Sequence, residues 1–151
     1  MLLDALLSYA HFVFAFILFG ALAAEAFVLR LPANAASLRL LVRMDMFYGL
    51  SALGVIAAGL ARVFYGVRGA AFYGAEPFFW AKLAVFALVG IISIWPTMRF
   101  LSWRRALIGD ESFTPPEGEV KAMRRLVMIE LHLLALVPLF AAFMTRGMRF
   151  L

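Results

Sequence analysis

The residues best suited to chemistry in this sequence interrupt its most apolar segments. His11 and Glu25 stand in YAHFVFAFILFGALAAEAF (9–27), Arg62 follows AAGLA, Lys82 follows EPFFWA, and Glu130 and His132 share IELH. A neutral imidazole is a usual axial ligand for haem iron, which makes His11 the candidate metal ligand. Arginine and lysine make charge-assisted contacts with carboxylates such as haem propionates. Carboxyls at membrane depth pair with cations, relay protons or gather ions. With no cysteine there is no disulfide, no thiolate metal site and no covalent c-type haem attachment. The chain shows no nucleophile–base–orienter triad and no phosphate-binding glycine loop. Met44, Met46, Met123 and Met128 read as packing rather than as a copper relay.

The elements that position these groups follow from hydropathy. Hydrophobic residues make up 66% of 151 positions, well above the roughly 45–50% of a soluble domain. Four apolar segments, at about 5–29, 45–65, 78–98 and 125–145, each supply the ~20 residues that cross a bilayer as a helix. The expected fold is all-α: a single transmembrane domain, 1–151, built as an integral membrane four-helix bundle. No Lys or Arg precedes the first apolar run, so that run reads as a transmembrane helix rather than a signal peptide. Pro32 and Asn34 break the first connection, and the second, YGVRGAAFYGAEP, reads as an interfacial loop. In the third, Thr114-Pro115-Pro116-Glu117 reads as a helix start with Thr114 as cap and proline in the first turn. Pro96 and Pro138 are expected to kink their helices. GLSALGVIAAGLA (49–61) is a small-residue surface suited to close helix contact.

The net charge of +5 is distributed around the apolar runs rather than along one stripe, so it speaks for membrane topology and against nucleic acid. Connections one and three hold Arg30, Arg39, Arg43, Arg99, Arg104, Arg105, Lys121, Arg124 and Arg125. The other side holds only Arg62, Arg68, Arg146 and Arg149. The positive-inside rule therefore places both termini outside. Two polar layers result. His11, Arg62 and Lys82 share the outer one, with Glu76 as the nearby acid. Glu25, Asp45 and Glu130 share the inner one, where ion pairs with interfacial arginines are the simplest expectation. Lys82 and Arg62 can alternatively snorkel to the surface. Residues 11 and 25 are close to four helical turns apart and project from one face, with Ala15, Leu18 and Leu22 between them. His132 is the obvious second haem ligand. However, it lies roughly 20 Å from the outer end of its helix against roughly 9 Å for His11, and a core or lipid-adjacent role suits it better.

The motifs YAHF, Arg30, RxDxxYGLSA (43–52), AAGLARVFYGxxG (57–69), EPFFWAKL (76–83), SIWPTMRFLSWRR (93–105) and AAFMTRG (141–147) span nearly the whole chain. They resemble an uncharacterised family of small bacterial four-helix membrane proteins, domain of unknown function 2214. The chain is also distantly similar to HemJ-type protoporphyrinogen oxidases and CopD-type copper-resistance proteins. It resembles the HemJ group in length, in four spans, in a histidine early in helix one and in a lysine early in helix three. That resemblance implies b-type haem binding at His11 and a functional role for Lys82. It does not extend to the first and third connections or to the fourth helix.

The expected function is thus an integral membrane b-type haem protein in electron transfer or in porphyrin or small-molecule oxidoreduction. Its cofactor would be haem b, held by His11, Arg62, Lys82 and, as the second-ligand candidate, His132. Its partners would be the lipid bilayer, a quinone, porphyrin or redox protein, and further copies of itself. The expected location is the bacterial inner membrane. The alternative is a small oligomeric transporter or proton- or ion-conducting protein, although no inverted repeat is visible.

Overall fold

A computed structural model describes residues 1–146. Arg149, counted above among the outer cations, and Gly147 of the last motif lie outside the described residues. Four long helices form: α1 (Leu2–Val28), α2 (Ala35–Tyr65), α4 (Pro77–Gly109) and α5 (Glu117–Thr145). A short fifth, α3 (Gly69–Ala75), lies where the sequence suggested an interfacial loop, so the described residues hold five helices rather than four. Gly69 enters α3 at φ +70°, a left-handed conformation open to glycine. Tyr73, on α3, is buried against Phe72 and Phe79. That aromatic packing is what a reading of YGVRGAAFYGAEP as glycine-rich loop overlooks.

The long helices are each apolar enough to cross a membrane, and their outer surfaces carry large exposed apolar side chains such as Leu53, Ile91, Ile94 and Trp95. On a protein in water such a surface would be a liability; in lipid it is the solvated face. This is a multi-pass membrane protein.

The helices run past the apolar windows. α2 begins ten residues before Asp45, because Asn34 caps it: its side chain accepts from the Ser37 N–H, and the Ser37 hydroxyl accepts from the Asn34 N–H, both at 3.0 Å. The added turns are amphipathic and bury Leu38 and Leu41. Loss of such a cap costs about 0.5–2 kcal/mol. Asn34→Ala is therefore expected to lower the thermal midpoint in detergent, and Asn34→Asp to preserve it; equal midpoints for Asn34→Ala and wild type would remove the cap from the account. α4 likewise continues to Gly109, burying Phe100, Trp103 and Leu107. The true third connection is short. In it the Ser112 N–H and hydroxyl both donate to Asp110 and hold its exposed carboxyl below the usual range.

α5 starts at Glu117 with Pro116 in the capping position and no side-chain cap, so Thr114 does not cap it. The reason is local: a residue before proline is pushed out of the helical region, and both Thr114 and Pro115 precede one. Pro96 and Pro138 sit inside unbroken helices, and Pro96 is fully buried.

α1 packs most extensively on α2 and α4 on α5, while α2 also meets α4 and α1 meets α5. The four long helices thus close a ring, with neighbours antiparallel. Along α1 and α2 the facing pairs are Asp4 with Gly66, Phe14 with Gly54 and Glu25 with Asp45, in opposite chain order. The interior is lined by Leu18, Leu22, Phe100, Val127 and Leu134, all nearly inaccessible.

Candidate functional site

The structure brings His11, Arg62 and Lys82 into one layer near the α3 end of the bundle. His11 is half-buried on α1, and its imidazole lies against α2: Gly59 has no Cβ, and a methyl there would stand 3.3 Å from His11 Cε1. The small residues of α2 therefore perform the close-contact role expected of them. Five residues earlier, Gly54 admits the Phe14 ring.

His11 Nδ1 is 3.1 Å from the Val55 carbonyl oxygen. A carbonyl only accepts, so Nδ1 carries the proton in this contact. In a neutral ring that leaves Nε2 as the lone pair. An imidazole fixed through its other nitrogen to a backbone carbonyl is the arrangement usual for a metal-ligating histidine.

The two cations nearby lack acid partners. Arg62 lies within electrostatic reach of both His11 and Lys82, and its Nε is buried without a hydrogen-bond partner. Lys82 Nζ lies 5.0 Å from the centre of the Phe79 ring and 6.0 Å from that of Tyr73, a cation–π cradle. Neither forms an ion pair among the described residues. The ion pairs among the described residues, Arg39 with Glu111, Arg99 with Glu119 and Lys121 with Glu117, all lie at the other end. Asp4, which the sequence reading did not bring to this layer, accepts from the Val67 N–H at 3.2 Å. A pair of partly buried cations with an orphaned guanidinium N–H suits an anionic ligand group.

His132 stands apart. It is exposed on the outer face of α5, and its Nδ1 turns to the Met128 carbonyl of its own helix at 2.6 Å. No hydrogen bond or ring contact joins it to His11, Arg62 or Lys82 among the described residues. Glu130, two positions earlier, faces the interior, as helical periodicity requires.

The second layer departs from expectation. Glu25, Asp45 and Glu130 do converge, but among the described residues none of them forms an ion pair with an arginine. Their neighbours are neutral hydroxyls: Thr97 donates to Asp45 at 2.7 Å, and the Tyr48 hydroxyl interacts with Ser93 and Glu130. Arg30, Arg43, Arg104 and Arg125, the expected partners, are all exposed. Sequence reasoning missed Tyr48, Ser93 and Thr97. The available signal was spacing, since Tyr48 follows Asp45 by three residues and Thr97 follows Ser93 by four, one helical face each.

No group of three or more histidine or carboxylate side chains among the described residues is arranged to hold a metal ion.

The family model described as "Predicted membrane protein (DUF2214)" matches residues 3–149. The chain belongs to this family. No curated protein and no solved structure matches it. Membership in DUF2214 agrees with the four membrane-length helices and assigns no chemistry.

Proposed function

We propose that this protein is a b-type haem protein of the membrane, with His11 Nε2 as an axial ligand and Arg62 and Lys82 as partners of the haem propionates. The observation that carries this reading is the His11–Val55 contact: it commits Nδ1–H to the backbone and leaves Nε2 as the ring's free donor atom. The unpartnered Arg62 Nε beside it supplies a waiting donor for a carboxylate. The similarity to HemJ-type proteins, which rests on His11 and Lys82, points the same way. Haem, when bound, supplies reversible one-electron chemistry at its iron. The class of activity is therefore electron transfer with a quinone or protein partner, or oxidation of a porphyrin. His132, exposed on the outer face of α5 with its Nδ1 on the Met128 carbonyl, takes no part in this reading. The host membrane is the bacterial inner membrane, with both termini outside, in keeping with the arginine-rich connections of the opposite end.

An absorbance spectrum of protein purified from haem-supplemented cells tests the reading. A Soret band that shifts on dithionite reduction is expected in wild type and in His132→Ala. His11→Ala is expected to lose most of the band, and Arg62→Gln to lower haem occupancy. A wild-type protein without a Soret band overturns the proposal, and an unchanged band in His11→Ala removes His11 from ligation.

A further inference from the structure

The layer formed by Glu25, Asp45 and Glu130 is a second polar site, about 20 Å from His11 by the helical rise along α1, and the haem reading does not use it. Its members come from three helices that meet in the bundle interior. Glu25 and Glu130 are each 1% exposed, and one carboxyl oxygen of each, Oε1, is buried with no hydrogen-bond partner. Both groups lie within electrostatic reach of Asp45, and Glu25 also within reach of Glu130.

Among the described residues no cation acts on Glu25 or Glu130. The titratable groups that face one another are Glu25 from α1, Asp45 and Tyr48 from α2, and Glu130 from α5. α4 adds the Ser93 and Thr97 hydroxyls and no ionisable side chain at this depth. Three carboxylates in a dehydrated interior require positive charge to accompany them. Among the described residues the trio is not arranged as a metal-ligating group, and Glu25 and Glu130 are all but inaccessible from outside. The smallest cation that satisfies both conditions is the proton.

We propose that Glu25, Asp45 and Glu130 form a proton-binding site within the membrane, exchanging protons with the end of the bundle that carries residues 29–34. Glu25 lies about one turn before the close of α1 at Val28, next to that end. A small crevice lined by Val28, Leu29, Leu41 and Trp103 opens at that same end. Tyr48 and Thr97 orient the site: Thr97 donates to Asp45, and the Tyr48 hydroxyl links Glu130 to Ser93. Loading and release are plain acid–base steps. A proton from water at that end bonds to a carboxylate oxygen, and the same O–H bond breaks to return it.

Infrared difference spectra of the protein in lipid, recorded across alkaline pH steps, test the site. Wild type is expected to lose a carbonyl band of protonated, water-free carboxyl groups and gain carboxylate bands in return. Glu25→Gln and Glu130→Gln, isosteric and uncharged, are each expected to remove part of that band while circular dichroism keeps its helical signal. His11→Ala is expected to leave the band in place, which separates failure of this site from failure of the haem reading. Addition of sodium at constant pH is expected to change nothing. The proposal is overturned if wild type, which needs no substitution, shows no such band at any pH at which it stays folded. It is also overturned if sodium discharges the band as base does, which would make this a sodium site.

Discussion

Gly54→Leu is expected to lower the thermal midpoint of the detergent-solubilised protein sharply, while Gly49→Leu leaves it nearly unchanged. A Cβ at Gly54 would stand 2.5 Å from Phe14 Cγ and Cδ1 and 2.7 Å from Cε1, well inside contact distance, whereas at Gly49 nothing lies within 4 Å. Without a hydrophobic force between helices in lipid, α1 and α2 hold together by backbone proximity and van der Waals contact. A leucine at position 54 removes that proximity along the most extensive interface in the bundle. Overpacking of this kind costs typically 1–3 kcal/mol, and occasionally more, so about 2 kcal/mol is expected. The consequence reaches the histidine layer, because Val55, which accepts from His11 Nδ1, is the adjacent residue. Haem occupancy is therefore expected to fall together with stability in Gly54→Leu. An unchanged midpoint would mean that the partly exposed Phe14 ring swings aside and that Gly54 does not set the approach.

The sequence carried the four membrane crossings plainly, because a lipid-solvated helix is apolar over its length and cannot be mistaken for alternating strands. It carried the inward face of α1 as well, since His11, Leu18, Leu22 and Glu25 recur at helical spacing. It was less informative at helix ends. Hydropathy marks where lipid begins, whereas the helix ends where capping ends, and Asn34 with Ser37 begins α2 ten residues before Asp45. The short helix α3 stayed hidden because Tyr73 is buried by ring packing with Phe72 and Phe79, a tertiary effect with no local period. At the site, depth along the helices grouped His11 with Arg62 and Lys82 and set His132 apart. The partners of the carboxyls were not legible. Arginines close in sequence to Glu25 and Asp45 suggested ion pairs, yet nearness in sequence does not fix the helix face: Arg43 is exposed two positions from the buried Asp45, and the interior carboxyls meet the Tyr48, Ser93 and Thr97 hydroxyls instead.

Opposite signs are expected from two substitutions within that carboxyl layer. Glu25→Met should raise the thermal midpoint, whereas Asp45→Leu should lower it. Glu25 is fully enclosed, has a carboxyl oxygen without a hydrogen-bond partner and forms no ion pair among the described residues. An unsatisfied buried polar group costs about 1–3 kcal/mol, which a thioether of similar length does not incur. Replacement of buried ionisable groups by apolar ones of like volume is often stabilising for the same reason. Asp45 differs because it accepts the Thr97 hydroxyl at 2.7 Å. Leucine there leaves that donor without its partner, at a cost of about 1 kcal/mol after the hydroxyl turns back to its own helix's carbonyls. Paired melting curves in one detergent measure both effects. A lowered midpoint in Glu25→Met would show that its carboxyl is held by an interaction that stabilises the fold. A raised midpoint, together with loss of the protonated-carboxyl band, identifies Glu25 as a group kept at the expense of stability, which is the signature of a residue retained for what it does rather than for how it packs.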